Sequence, residues 1–256
     1  MPLSSGALAR RAPRPRFVVR HGAIGCVLVS LLCARPGTAQ RELARFDPSA
    51  VAAFRDSFAL VVNGQVAGWH VYAMERTPGG LRFIDRFALG SAMSRGAEVL
   101  LDDKLHILRG RHEGMEFGKP VRADVKYTGK RAIGVGLRRT DAGPVQVQVD
   151  TVLPDGAFDG LALMGLILTL EWRAGAAYPL GIFDVDEGGS LTTQVLRVAD
   201  EEVVTVRAGR FRAFRADLTT TQAPVRIWVT AARPHRLLKI GGADESFSTV
   251  LVAASP

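Results

Sequence analysis

Most of the chain alternates between apolar and polar residues with a period of two, the pattern of half-buried β-strands. The alternation begins at Phe58, and Asn63-Gly64 interrupts it with a dipeptide typical of tight β-hairpins. Strand-like runs then recur about every ten residues, which predicts an antiparallel meander. These runs are 97–102, 105–112, 121–128, 132–137 and 145–151, followed later by 191–198, 202–208, 210–218, 224–231, 236–240 and 247–253.

One apolar segment in the middle of the chain breaks this alternation. Residues 158–172 are apolar on every side between Asp159 and Glu171, and their Leu, Met and Ala content favours a helix. Asp159 is placed to cap its first turn. The stretch between the two acids spans about 16 Å at 1.5 Å per residue, which is too short to cross a bilayer. A helix that is apolar all round must be covered, so we expect it to be buried.

A second, shorter helix is expected before the first strand. Asp47 or Ser49 is suited to cap it, and Pro48 is favoured in a first turn. The elements together predict a mainly β (α+β) domain with one antiparallel sheet, one buried apolar helix and a short N-terminal helix.

The segment from Val204 to Leu218 carries four arginines and raises the question of a phosphate-binding surface. Its alternation predicts a hairpin that turns at Ala208-Gly209. In the second strand, arginines fall on both faces and are interleaved with apolar residues and one acid. A phosphate-binding stripe keeps its cations on one face, so we favour solvated strand positions.

The first 39 residues have the pattern of a secretory signal peptide. Five arginines precede an apolar run, Gly22 to Ala34, and the small residues Gly37 and Ala39 follow. The run is about thirteen residues, short of the roughly twenty that a spanning helix requires. We expect general secretion with cleavage after Ala39, and an uncleaved anchor is the alternative. Residues 40–256 then form a single domain with no transmembrane span.

The leader accounts for most of the basic charge. The whole chain has a formal net charge of +8, but residues 1–39 hold six arginines and no acid, which leaves 27 basic and 25 acidic residues. A net charge of +2 gives little long-range attraction to polyanions, so we expect no nucleic-acid partner. Both cysteines lie in the leader, so the remaining chain has no thiol or disulfide chemistry.

The hairpin around Gly209 resembles the signature of an uncharacterised family of exported bacterial domains. The matching pattern is V-x-V-x-A-G-x-F, formed by Val204, Val206, Ala208, Gly209 and Phe211. The later runs PVRIWVT and RLLKI are similar to that family, whereas Arg207 departs from it where proline is common. The resemblance implies a half-barrel distantly like the lipoprotein carriers, with one curved antiparallel sheet and a helix in its concave face. No catalytic residues are established for the family, so none are carried over.

Metal binding is not expected from the histidines or acids. The sequence has no H-x-H or H-E-x-x-H, and zinc sites need three or four convergent ligands, so we interpret the histidines as ordinary surface residues. The segment Asp184–Ser190 has three acids beside a Gly pair but lacks the spacing of a calcium loop, and a solvated turn is favoured. The histidines in question are His70, His106, His112 and His235.

Catalysis has little support in the sequence. There is no G-x-S-x-G elbow and no S-x-x-K, and no cysteine remains after the leader. Carboxylates can still meet in space, the candidates being Asp85, Asp150, Glu171 and Asp186. We therefore predict no enzyme, no catalytic residue, no metal and no cofactor.

The buried helix is the most suggestive feature for function. It either lines an apolar cavity under the sheet or fills the core, and the sequence leaves both open. The candidate lining residues are Leu163, Leu166, Ile167, Leu170, Trp172 and Trp69. The favoured function is an exported binding module for a hydrophobic ligand or a lipid-modified segment. The alternatives are an interaction domain with a filled core that presents edge strands to an envelope protein, and an exported hydrolase.

Overall fold

The computed structural model describes residues 43–220 and 224–254. Fifteen strands form one large, curved sheet that does not close. The helix α1, Leu163–Ile167, is short. The strands are β1 Phe54–Val62, β2 Gln65–Thr77, β3 Gly80–Leu89, β4 Met93–Leu101, β5 Ile107–Glu116, β6 Lys119–Thr128, β7 Arg131–Thr140, β8 Gly143–Val152, β9 Ala157–Asp159, β10 Ala177–Asp184, β11 Ser190–Val206, β12 Gly209–Thr219, β13 Val225–Thr230, β14 Leu237–Gly242 and β15 Phe247–Ala253.

The strand order shows that the sheet has two halves joined at its centre. The order is β8-β7-β6-β5-β4-β3-β2-β1-β15-β14-β13-β12-β11-β10-β9. We name β1–β8 the N-terminal half and β9–β15 the C-terminal half. They meet where β1 pairs with β15, and all neighbouring strands are antiparallel except β9 and β10, which are parallel. The predicted antiparallel meander is therefore confirmed over β1–β8 and over β10–β15.

The first hairpin illustrates how the sequence produces these connections. Asn63 and Gly64 have φ angles of 48° and 80°, and Val62 pairs with Gln65 across the turn. A two-residue hairpin turn with both φ angles positive matches the right-handed twist of the strands, and Asn-Gly adopts it with little strain. The predicted turn is confirmed.

The predicted helix over 158–172 is shorter in the structure. Phe158 and Asp159 belong to β9, a 3-10 turn covers Gly160–Ala162, and α1 occupies only Leu163–Ile167. After α1 the chain tightens, because the Thr169 and Leu170 N–H groups donate to Leu166 O and Ile167 O, three residues back. The same two oxygens also accept from Thr169 Oγ1 and, at 2.9 Å, from Trp172 Nε1. Asp159 caps the first turn as predicted, accepting from the Leu161 N–H.

The predicted N-terminal helix is a single 3-10 turn, Pro48–Ala50. Asp47 caps this turn by accepting from the Ser49 N–H at 2.9 Å. The helix does not continue because Phe54 already pairs with Met74 in the β1–β2 ladder. Pairing with a neighbouring strand therefore outweighs the local helical preference.

In the C-terminal half, the strands differ from the predicted ones in two places. The predicted runs 191–198 and 202–208 merge into one long strand, β11, which ends at Val206 and has a register shift between Val198 and Glu201. Strand β10 is missed because Pro179 and Gly181 resemble a loop. Pro179 is tolerated because it lies on the part of the β10 edge that the short β9 leaves unpaired.

The N-terminal segment covers that part of the β10 edge. The Ala44 N–H donates to Pro179 O at 2.8 Å, and the Asp47 N–H donates to Thr169 O. Phe46 packs edge-on against Phe158 with a ring-centroid distance of 5.1 Å. This end of the sheet is thus protected by backbone hydrogen bonds and aromatic packing. Among the residues that the structure describes, no helix is long and apolar enough to span a membrane.

Candidate functional site

The structure brings together five of the six residues that the sequence singles out as cavity lining. Leu166, Ile167, Leu170 and Trp172 are buried and Leu163 is partly buried. Trp69 does not join them, and this residue is 50% exposed. Successive side chains of β2 point to opposite faces of the sheet, so Trp69 lies on the outer face while its neighbour His70 is buried. The prediction for Trp69 is therefore wrong.

The helix packs closely against the sheet where it crosses β2 and β3. A Cβ added to Gly165 would lie 2.7 Å from the Phe83 ring and 3.0 Å from Met74 Cε. A glycine at this position lets the α1 backbone approach those side chains. On its far side, Trp172 stacks on Phe214 at 6.4 Å. These contacts favour a filled core around the helix.

A chain of buried ionisable groups lies beside this core. His70 donates to Asp85 Oδ1 at 2.7 Å, and Arg95 donates to the other oxygen of Asp85 at 3.0 Å. The same guanidinium reaches Asp186 at 3.4 Å, and His112 donates to Asp186 at 2.8 Å. We call these five residues the inter-half network, because Asp186 follows β10 in the C-terminal half and the other four lie in the N-terminal half.

The network is extended by Arg139 on β7. This side chain donates to Glu116 Oε1 at 3.0 Å, and to the Asp186 carbonyl and Glu187 Oε1 at 3.2 Å each. Glu116 is itself buried. Arginine suits this position because its planar group satisfies several oxygens in one fixed geometry. The turn that follows β10 is thus held against β4, β5 and β7.

The two carboxylates of the network are both held in the ionised form. Burial alone would raise the pKa of Asp85, but Arg95 and His70 outweigh burial and lower that pKa. Burial likewise opposes ionisation of Asp186, and the hydrogen bond from His112 together with Arg95 and Arg139 lowers its pKa. Each carboxylate is engaged on both oxygens, so neither is free to act as a general base.

Asp159 is a third buried acid, and within residues 43–220 and 224–254 it has no cationic hydrogen-bond partner. It accepts from Tyr127 Oη at 2.5 Å and from the Leu161 N–H at 2.9 Å. Burial raises its pKa to about 7, and Asp184 and Asp186 add to the rise, while its two hydrogen bonds oppose it. A Cβ at residue 110 would overlap with Asp159 Oδ2, so Gly110 on β5 makes room for this carboxyl group.

These contacts correct two predictions about polar residues. His70, His112 and His235 are buried rather than on the surface. His70 and His112 fall on inward-facing strand positions, and His235, in the loop between β13 and β14, hydrogen-bonds to Thr230 O at 2.8 Å. Only His106 is exposed as expected, and it pairs with Asp102 at 2.9 Å. The segment 184–190 is not a solvated turn, since Asp186 is buried in the network.

Of the four carboxylates that the sequence offers as possible neighbours, two come together and two lie elsewhere. Asp85 and Asp186 meet through Arg95. Asp150 pairs with Arg131 at the exposed surface, and Glu171 lies apart, its carbonyl oxygen accepting from the Tyr178 hydroxyl. Within residues 43–220 and 224–254, no three His, Cys, Asp or Glu side chains are arranged to hold a metal ion.

Sequence reasoning missed Arg95, Arg139 and Tyr127. Tyr127 has a visible signal, because it continues the inward series of β6 and carries a hydroxyl group that needs a partner when buried. The two arginines have no comparable signal. Their partners lie 91 and 47 residues away along the chain, and only the curvature of the sheet brings them together.

A cavity of about 580 Å³ lies on the solvent-facing side of β5–β8. It is lined by charged groups and two aliphatic side chains: Arg109, Arg122, Asp124, Lys126, Ile133 and Val135. A second cavity of about 160 Å³ lies on the same side between β3, β4 and β5. Neither is lined by α1, so these openings are separate from the predicted apolar site.

Fold and site together define a β-sheet domain with ion pairs in its interior. The sequence places it more closely: residues 53–250 match the model of DUF3108, a family of proteins of unknown function. The chain belongs to this family, and the predicted membership of an uncharacterised family is confirmed. No curated protein matches the sequence.

Two solved structures are similar to this chain. One is a beta-barrel-like protein of the domain of unknown function DUF1849 from Brucella abortus, with 12% identity, a TM-score of 0.45 and coverage of 84% of this chain and 99% of that one. The other, from Bacteroides fragilis, is described as a presumed exported protein with a YmcC-like fold; it has 10% identity, a TM-score of 0.29 and coverage of 83% and 100%. Neither description states an activity.

Proposed function

We propose that this protein is a non-catalytic interaction module of the bacterial cell envelope, and that it binds an extended segment of another envelope protein along strand β8. The observation that carries the proposal is the contrast between the two ends of the sheet. The β9–β10 end is covered by residues 43–50, whereas β8 pairs with β7 and, in the part of the chain described, has no strand on its other side.

The register identifies the backbone groups that are available on β8. The Leu153 N–H donates to Lys130 O, so alternate residues from Leu153 back to Gly143 form the hydrogen-bonded pairs with β7. The residues between them, including Gln146 and Gln148, direct their N–H and C=O groups away from β7. Pro144 has one of these outward positions, where no N–H is needed for the ladder.

The composition of β8 supports strand addition. It carries valines at 145, 147, 149 and 152, glutamines at 146 and 148, and only one charged residue, Asp150. Val145 is 44% exposed. Proteins usually protect a long edge with charges, bulges or a covering segment, and an unprotected edge is a template for another strand.

A proline substitution tests the edge directly. In Gln148→Pro the outward N–H is lost while every hydrogen bond to β7 remains, so the fold is retained and strand addition is blocked. A photo-crosslinking amino acid at Val145, introduced in cells that produce the protein, should give a discrete adduct with another envelope protein. That adduct should disappear with Gln148→Pro.

Two controls separate edge pairing from other causes. Gln148→Ala removes the same side chain but keeps the N–H, so the adduct should persist. A crosslinker at Val203, an exposed valine on β11, should not form it. An adduct that survives Gln148→Pro, or one formed only with a second copy of this chain, would contradict the proposal.

Binding of a hydrophobic or lipid ligand under the sheet is the second candidate function. It is supported by Leu163 and Met164, which are only partly buried at the start of α1 while Leu166 and Ile167 are fully buried. In this proposal α1 lies in the concave face of the sheet and an acyl chain contacts Leu163. Native mass spectrometry should then detect a bound lipid that is lost in Leu163→Asp, and its absence from protein purified under mild conditions would contradict it.

Export underlies both candidates. We propose that residues 1–39 are a signal peptide, that the mature domain begins at Gln40, and that it resides in the periplasm. Cell fractionation and intact-mass measurement should find a periplasmic protein without those residues. A full-length protein retained in the cytoplasm would contradict this localisation.

A further inference from the structure

The cavity on the outer face of β5–β8 is widely open to solvent, and its volume is large enough for a small ligand. Its volume of about 580 Å³ lies within the usual range of small-molecule pockets, about 300–1,000 Å³. It forms on the outer face of the N-terminal half, where β6 directs Arg122, Asp124 and Lys126 outward while Val121, Ala123 and Val125 are buried on the other face.

The charges around this cavity are unequal. Three basic side chains, Arg109, Arg122 and Lys126, line it with a single carboxylate, Asp124. Arg109 already binds both oxygens of Asp124, at 2.8 and 2.6 Å, and Arg111 lies 3.7 Å from the same group. The carboxylate is therefore fully engaged by these two arginines.

Arg122 and Lys126 remain available to a ligand. They flank Asp124 on the same face of β6, two residues before and after it. Within residues 43–220 and 224–254, neither forms an ion pair. The hydrogen bond from Arg109 lowers the pKa of Asp124, and the charge of Arg122 adds to this effect. Glu113 lies opposite Arg122 in the β5–β6 ladder. The cavity lining itself carries three basic side chains and one carboxylate, and this excess of positive charge favours an anionic occupant.

The rest of the cavity favours an anion that also has an apolar part. Ile133 is 47% exposed there, and Val135 lies beside it. Gln146 borders the cavity and donates to Arg122 O at 3.3 Å, which steadies the backbone that carries Arg122. Arginine and lysine together suit a phosphate group, which accepts several charge-assisted hydrogen bonds.

We propose that this cavity binds a phosphate-bearing ligand, with Arg122 and Lys126 contacting the phosphate and Ile133 contacting an apolar portion. The ligand chemistry fits either the headgroup of an anionic phospholipid or a soluble phosphate compound. The site adjoins the β8 edge through Gln146, but it uses side chains on the outer face of the sheet, whereas the edge proposal uses the backbone groups of β8.

Calorimetry with inorganic pyrophosphate and flotation with vesicles test the two sources. The vesicles contain phosphatidylcholine alone or mixed with phosphatidylglycerol. The double variant Arg122→Gln/Lys126→Gln should weaken binding by about tenfold or more, because two charge-assisted contacts are lost. The variant Arg207→Gln/Arg210→Gln, at the exposed β11–β12 turn, removes the same charge and should leave binding unchanged.

Each outcome has a defined meaning. Pyrophosphate binding that depends on Arg122 and Lys126 indicates a soluble ligand, and dependence seen only with phosphatidylglycerol vesicles indicates a lipid headgroup. No binding to either probe, or an equal loss in the Arg207/Arg210 variant, would overturn the proposal. Gln148→Pro should leave phosphate binding intact, so failure of the edge proposal and failure of this site are distinguishable.

Discussion

Asp159 and Asp186 are two buried acids that join the same halves of the sheet, yet their pKa values move in opposite directions. Asp186 contacts His112 and Arg95, and these partners lower its pKa against the effect of burial. Asp159 receives hydrogen bonds from a tyrosine and a backbone N–H, which carry no charge, and burial raises its pKa to about 7. Burial is common to both, so the partner decides the charge.

This difference gives the two contacts different roles. The carboxylate of Asp186 is ionised and interacts with basic side chains from β4, β5 and β7. It therefore links the two halves by electrostatic attraction. Asp159 with Tyr127 is a contact whose strength depends on pH near neutrality. One inter-half contact is therefore constant over the physiological range, and the other varies with it.

The largest expected effect comes from removing the constant contact. Asp186→Ala leaves the fully buried His112 without its carboxylate partner, while Arg95 keeps only Asp85, and the loss of one partner from a buried ion pair costs about 3–5 kcal/mol. Urea unfolding at neutral pH should record this decrease in the free energy of unfolding. Asp150→Ala, which removes an exposed partner of Arg131, should change stability little, and equal losses in both variants would contradict the role of Asp186.

The next effect is the pH dependence of Asp159. Between the ordinary pKa of 3.8 and about 7, the folded protein holds a proton on Asp159 that the unfolded chain has released. Its contribution to stability is therefore complete below pH 3.8 and is lost as the pH rises to about 7, at about 1.4 kcal/mol per unit.

Asp159→Asn removes this titration while keeping an oxygen that can accept from Leu161. We compare the free energy of unfolding of the variant with that of the unmodified protein. As the pH rises from 5 to 8, this difference should shift by about 3 kcal/mol in favour of the variant. Urea unfolding at the two pH values measures the change. The same stability difference at both pH values would show that Asp159 does not titrate in this window.

The smallest expected loss of stability comes from filling the space beside the Asp159 carboxyl group. Gly110→Ala places a methyl group against Asp159 Oδ2 and should cost about 1–3 kcal/mol through overpacking. Gly96 on β4 is the matched control, because a Cβ there meets no atom closer than 4.0 Å. Thermal unfolding of Gly110→Ala and Gly96→Ala gives the comparison, and a tolerated alanine at 110 would mean that the carboxyl group can move.

The sequence predicts the strands better than it predicts the contacts between the halves. Alternation and the Asn63-Gly64 turn are local signals, and they place the first hairpin correctly. The helix over 158–172 is overestimated because apolar composition does not reveal that the chain tightens after Ile167, where the Thr169 and Leu170 N–H groups donate three residues back. Apolar composition alone does not mark where an element ends.

The inter-half network shows the same limit for the candidate site. The position of Asp85 in phase with the apolar Leu81 and Phe83 indicates a buried acid, which a partner must stabilise. No pattern in the sequence identifies Asp186 as the partner of His112, 74 residues away. That pairing requires the curvature of the whole sheet.

The order of the strands also determines how proteolytic cleavage at different sites would affect the sheet. In a simple meander the first and last strands are the edge strands of the sheet. Loss of either one leaves the remaining strands paired. Here β1 and β15 lie in the middle, and β15 is bonded to strands on both sides. A protease that trims residues 247–253 would split the ladder in two, whereas a nick in the loop between β8 and β9 would leave every neighbouring pair of strands intact.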